Sequence, residues 1–168
     1  PEFREEMNIA YTFNYNADGQ MQKISMKTDG KDDEGSYSES GEINYTYNNK
    51  VLEKIEAKSK NVTCSQTYEY TQAIKNTYNA MPLLLLPEEL ASDDCVFNVF
   101  AITGYLGNAG ANLPTAMTIK NTDLEDPSEN STERYNLSYT LNENNAISSY
   151  TLSRYGETMT FPCDWTNF

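Results

Sequence analysis

Phe13-Asn-Tyr15-Asn-Ala-Asp18-Gly19-Gln-Met21-Gln-Lys-Ile24 is the stretch whose reading decides the fold. Two alternating aromatic residues lead into an Asp-Gly pair, where glycine supplies the positive φ of a tight connection, and an apolar strand leads out. The stretch therefore predicts a β-hairpin. Upstream, Ile9, Tyr11, Phe13 and Tyr15 fall on one face with the alternation of a half-buried strand. Downstream the alternation slips, because Met21 and Ile24 reach the same face only if one residue between them is bulged.

The pattern recurs. A second copy runs Ile43-Asn-Tyr45-Thr-Tyr47-Asn-Asn-Lys-Val51-Leu52-Glu-Lys-Ile55, with a shorter turn in which Asn48 and Asn49 best tolerate left-handed backbone. A third spans residues 135–152, where Leu141 to Ile147 repeats the spacing of Tyr15 to Met21, and Ile147 to Tyr150 repeats Met21 to Ile24. Further strands are expected over 63–73, with Cys64, Tyr68 and Tyr70 on one face, from Met117-Thr-Ile119, and over Glu157-Thr-Met159-Thr-Phe161. The polar, turn-rich residues 29–41 are expected to be an exposed loop.

The middle of the chain breaks the pattern. Acidic residues follow Pro87, and Val96, Phe97, Val99, Phe100, Ile102 and Leu106 recur at helical spacing, predicting one or two short helices in an insert over residues 82–106. The leucines at 83–86 either plug the concave side of the sheet or contact lipid. Residues 107–114 then form a loop back to the sheet. The prediction is a mainly β protein: a strongly curved antiparallel meander of about 8–9 strands, an open or partial barrel with a short central helical insert. A length of 168 residues suits one domain, residues 4–168. Pro1-Glu2-Phe3 reads as a cloning remnant, so the natural beginning is expected upstream.

Composition narrows the function classes. Asp and Glu number 25 against 12 Lys and Arg, and a net charge of −13 repels phosphate backbones, so no nucleic-acid partner is expected. No stretch approaches the ~18 apolar residues of a membrane helix. The sequence has no histidine, which removes Ser-His-Asp and Cys-His nucleophiles and His-bearing metal sites. A paired-carboxylate glycosidase survives in principle, but no spacing singles out an acid and a nucleophile. Residues 29–35 are acidic yet depart from EF-hand ligand spacing, and no glycine-rich phosphate loop follows a strand; no cofactor or metal is expected. Cys64, Cys95 and Cys163 allow either one disulfide or three packed thiols.

The unit of aromatic-x-aromatic, Asn/Asp turn and apolar-x-x-apolar resembles the tyrosine-aspartate hairpins of RHS-type repeats. Taken with the Pro-Leu stretch at 81–90, Asn112-Leu-Pro114 and the hairpin of 135–150, the chain resembles a group of Bacteroidetes cell-envelope lipoproteins of unknown function. That resemblance implies export, an acylated cysteine upstream, a periplasmic or outer-surface location, a porin-like curved sheet and no catalytic residues.

Most of the 13 tyrosines are expected in the core, while a minority line a surface where an aromatic face stacks on a sugar or holds an apolar ligand. Trp165, the single tryptophan, is the candidate ligand-binding residue, the alternative being that it seals the end of the sheet. The functional expectation is a non-catalytic envelope or surface lipoprotein binding a glycan, lipid or protein. The alternative is a structural or adhesive scaffold displaying acidic loops.

Overall fold

A computed structural model describes residues 6–31, 35–77 and 107–163. Nine strands form one sheet: β1 (Glu6–Tyr15), β2 (Met21–Lys31), β3 (Ser36–Asn48), β4 (Val51–Lys58), β5 (Val62–Glu69), β6 (Ala116–Asp123), β7 (Ser131–Leu141), β8 (Ile147–Arg154) and β9 (Glu157–Pro162). Sheet order is sequence order from β1 to β9 and every pair is antiparallel, so the sheet is a meander that does not close on itself. The expected mainly β architecture is therefore found. Among the described residues the single helical element is a 3-10 turn, Pro127–Glu129, capped by Asp126. The insert at 82–106, its leucines at 83–86, Cys95 and residues 1–3 lie outside the described residues.

The spacing slip is a bulge in all three copies. Asn14 faces Lys23 but Tyr15 faces Met21, leaving Gln22 as the extra residue. Thr46 faces Lys54 but Tyr47 faces Leu52, leaving Glu53, and Thr140 faces Ser149 but Leu141 faces Ile147, leaving Ser148. Each bulge keeps the residues on either side of it on the same face, so Met21 and Ile24, and Leu52 and Ile55, are all fully buried. Burial of such a side chain contributes about 1.5–3 kcal/mol, against which an unpaired bulge residue is a small cost. The buried face continues through Ala57, Cys64, Tyr68, Met117, Ile119, Leu137 and Leu152.

Three local expectations are corrected. Residues 29–41 are mostly strand: Asp29 faces Ser38, Gly30 faces Tyr37 and Lys31 faces Ser36. This ribbon projects past the core and needs no apolar face, since its pairing is through the backbone; the Tyr37 ring also covers Gly30 so closely that a Cβ there would collide with it. The strand expected over 63–73 ends at Glu69, because the chain beyond it pairs with the 107–115 loop instead: Thr71 N–H donates to Thr115 Oγ1 and Leu113 N–H to the Ile74 carbonyl. In the second copy the left-handed residues are Asn49 and Lys50, one position later than read, because the turn joins Asn48 directly opposite Val51.

The 107–115 loop does more than return the chain. Asn108 N–H donates to the Gly19 carbonyl and Asn108 Nδ2 to the Asp18 carbonyl, binding the first turn. Ala111 N–H donates to the Lys50 carbonyl in the second. Tyr139 of β7 donates its hydroxyl to the Pro114 carbonyl at 2.8 Å. One end of the sheet is thus stitched by a strap running across its turns.

Candidate functional site

One face of the sheet carries most of the buried side chains among the described residues. Its tyrosines pack: Tyr70 donates its hydroxyl to the Leu52 carbonyl at 2.6 Å, and Tyr68 donates to Oε1 of the buried Gln66 at 3.0 Å. Burial pushes the Tyr47 phenol up to about 12 and raises Tyr45, Tyr68, Tyr70 and Tyr139 as well, so none is a ready proton donor at neutral pH. A hollow between Tyr11, Met26, Ile43 and Ala57 measures about 20 Å3, far below the several hundred of a ligand pocket. A larger hollow of about 450 Å3 on the β1–β3 ribbon is wide open, and its carboxylate, Asp29, is already engaged by Lys27 and Ser38.

The arrangement that packing does not explain lies at the opposite end from the strap, on the turn joining β8 to β9. Arg154 faces Glu157, so the turn has two central residues, Tyr155 and Gly156, with φ of 50° and 86°. Positive φ at both positions is the geometry whose twist suits a two-residue hairpin, and it favours Asn or Gly. A bulky aromatic residue there is an outlier. Tyr155 is 86% exposed, so its ring gains almost no burial in return.

The ring is nonetheless not unsupported. The Arg154 guanidinium carbon lies 5.3 Å from the centroid of Tyr155 and 5.2 Å from that of Tyr135, within cation–π range on both sides. Arg154 is ion-paired with Glu133, and Tyr135 donates its hydroxyl to the same carboxylate at 2.6 Å. Those contacts hold the Glu133 carboxyl below its ordinary range and the Arg154 guanidinium above its own. Strand register explains the assembly: Glu133 and Tyr135 are alternate residues of β7, and Arg154 ends the neighbouring β8.

The sequence reading did not single out Tyr155. A signal was present in Arg154-Tyr-Gly-Glu157, where an aromatic residue occupies a position that turn chemistry reserves for Asn or Gly. Trp165 lies outside the described residues. Among the described residues no three Asp, Glu or Cys side chains are grouped to hold a metal ion. Cys64 is buried on the core face and Cys163 is half-buried after β9.

Residues 2–149 match the family model described as a domain of unknown function (DUF4595) with porin-like fold. The chain belongs to this family. No curated protein matches the sequence. Among solved structures, a porin-like protein from Bacteroides vulgatus ATCC 8482 is similar with a TM-score of 0.62 at 12% identity, covering 97% of this chain and 68% of that one. A porin-like protein from Bacteroides uniformis ATCC 8492 is similar with a TM-score of 0.50 at 17% identity, covering 92% of this chain and 57% of that one. At such identities the likeness carries the fold alone and does not extend to Glu133, Tyr135, Arg154 and Tyr155 at the rim of the sheet.

Proposed function

We propose that the protein is a non-catalytic binding module of the cell envelope, exported and held at the periplasmic or outer surface by a lipid anchor upstream of residue 1, with a glycan, lipid or protein as ligand. The observation that carries the reading is Tyr155: a large aromatic ring, 86% exposed, on backbone it disfavours, propped by Arg154. Strained backbone that yields no packing suits contact with something outside the chain. A sequence without histidine, in which no acid pair stands out as a catalytic couple, supports a role without catalysis.

The test has two arms. Immobilised protein is screened against neutral and acidic polysaccharides, zwitterionic vesicles and an envelope protein extract; saturable binding to one class supports the module, and absence of binding to all of them overturns it. For location, the full-length gene product should partition into detergent with the membrane fraction, and it should lose that behaviour when the upstream cysteine is replaced by serine.

A second reading, a rigid scaffold displaying acidic loops, draws on the tightly packed core face of the described residues, where the hollow beside Tyr11 and Met26 measures only about 20 Å3. It is the outcome if the binding arm fails.

A further inference from the structure

The geometry points to a neutral glycan as the ligand of the rim site, with Tyr155 as the platform on which a sugar ring stacks; this rests on the binding-module reading above. Each ligand class asks for different surroundings of Tyr155.

A lipid chain or a protein anchor is held by a contiguous apolar patch or a desolvated pocket. The neighbours of Tyr155 are Arg154, Gly156 and Glu157, with Glu133 behind the arginine. The other exposed apolar side chains of this hairpin, Met159 and Phe161, lie further along β9, beyond Glu157, so next to the ring itself an acyl chain or a leucine anchor meets charged groups first. A pyranose needs less apolar area and more polarity: a flat aromatic surface for its C–H face, and fixed donors and acceptors beside that surface for its hydroxyls. Here the Arg154 guanidinium lies over one face of the ring, which leaves the other face for a sugar to stack on, and Glu157 pairs with Arg154 across the turn.

Charge decides between neutral and acidic sugars. Arg154 is the cation of the stack, and it is already paired with Glu133. With a net charge of −13, the protein repels uronates, sulfated sugars and phosphate esters. A neutral ring meets no such barrier.

Backbone strain separates this role from a structural one. If the ring served the fold, replacing it would destabilise the turn. If the ring serves a ligand, Asn at the same position should relieve the backbone, because Asn tolerates positive φ far better than Tyr.

The experiment uses the whole chain and affinity electrophoresis in gels containing mannan, mixed-linkage β-glucan, arabinoxylan or polygalacturonate, with thermal unfolding of each variant measured in parallel. Wild-type protein should be retarded by at least one neutral polysaccharide and not by polygalacturonate. Tyr155→Asn should weaken that binding by about tenfold or more, the loss expected of one stacked ring, while unfolding at the same or a higher temperature. Tyr155→Trp should retain or strengthen it.

A lower unfolding temperature for Tyr155→Asn makes the ring structural and overturns the inference. Binding to a neutral polysaccharide that is indifferent to Tyr155→Asn also overturns it, though the binding-module reading survives. Retardation by polygalacturonate alone overturns the ligand class. Failure of wild-type protein to bind any polysaccharide overturns the inference, and the vesicle and protein arms of the earlier screen then decide whether the broader reading falls with it.

Discussion

Asn16 and Asn142 make the same hydrogen bonds in turns at opposite ends of the sequence. Asn16 Oδ1 accepts from the N–H groups of Asp18 and Gln20 at 3.0 and 2.9 Å; Asn142 Oδ1 accepts from those of Asn144 and Ala146 at 2.9 and 3.0 Å. The backbones match as well, with the left-handed position filled by Gly19 in one and Asn145 in the other. The organising residue of the hairpin is thus the asparagine that opens the turn, more than the Asp-Gly pair inside it. Asn16→Ala and Asn142→Ala should each lower unfolding free energy by about 1–2 kcal/mol, since each orphans two backbone donors. Asn16→Ala should cost more, because Asn16 Nδ2 also donates to Gln20, which reaches on to the Lys50 carbonyl of the second turn. Urea denaturation of the two variants checks both the size and the order.

Gly107 sits at φ 70°, and a Cβ there would lie 2.5 Å from the Gly19 carbonyl oxygen. The obstacle is backbone, so it cannot swing aside. Gly107→Ala should therefore destabilise by about 2 kcal/mol or more, and amide exchange should accelerate at Asn108, whose N–H bonds that same carbonyl. Exchange no faster at Asn108 would mean that the strap is not what the alanine disturbs. At Gly110 the nearest atom would be 3.1 Å away, and alanine should be milder there.

Acid should weaken the rim site before the core. Glu133 accepts from Tyr135 and pairs with Arg154, so its folded pKa lies below its ordinary 4.5. A depressed carboxyl stabilises the fold above the unfolded pKa, and that contribution is lost as pH falls through the folded one. Wild-type protein should thus exceed Glu133→Gln in stability at neutral pH, with the gap closing as the pH drops below 4.5. The pair is more than a third exposed on the glutamate side, so the gap at neutral pH should be about 1 kcal/mol or less. Chemical denaturation at a series of pH values reads it directly, and a gap that widens on acidification would refute the assignment.

Burial pushes the Cys64 thiol up to about 11, and its side chain lies within the core face. At pH 8 only about one such thiol in a thousand is ionised, and the reagent cannot reach it. Iodoacetamide should label the Cys163 peptide of native protein while leaving the Cys64 peptide unmodified until denaturant is added. Mass spectrometry of the digests distinguishes the two. Rapid native labelling at Cys64 would show that the β4–β6 region opens far more readily than its packing implies.

How legible was this in the sequence? The bulges were, since Met21 and Ile24, and Leu52 and Ile55, cannot both face the core without one. The phase of apolar residues carries that information, and it is the strongest signal a strand emits. The 29–38 ribbon was not, because paired strands that project past the core leave no apolar periodicity to read. Nor were the strap's contacts, which run mostly to backbone carbonyls and so leave no trace in side-chain identity. Gln66, buried between Cys64 and Tyr68, is hidden in the sequence because a buried amide looks polar in a one-dimensional pattern. Tyr155 escaped for the opposite reason: tyrosine is so common in this chain that one in the wrong conformation does not stand out.

A sheet in which every strand touches only its sequence neighbours is, kinetically, a one-dimensional stack that can peel from either free edge. The strap changes that for part of the molecule. By joining the first turn, the second turn, the end of β5 and Tyr139 of β7, it closes long loops across the stack and raises the contact order of everything from β1 to β7. The hydrogen bonds named for the strap run to β1–β7, and β9 is a free edge of the sheet. Opening should accordingly begin at β9 and travel inward, reaching the strapped strands last. The hairpin that carries Tyr155 is then the part of the sheet freest to adjust to whatever it meets, while the strands behind it hold their shape.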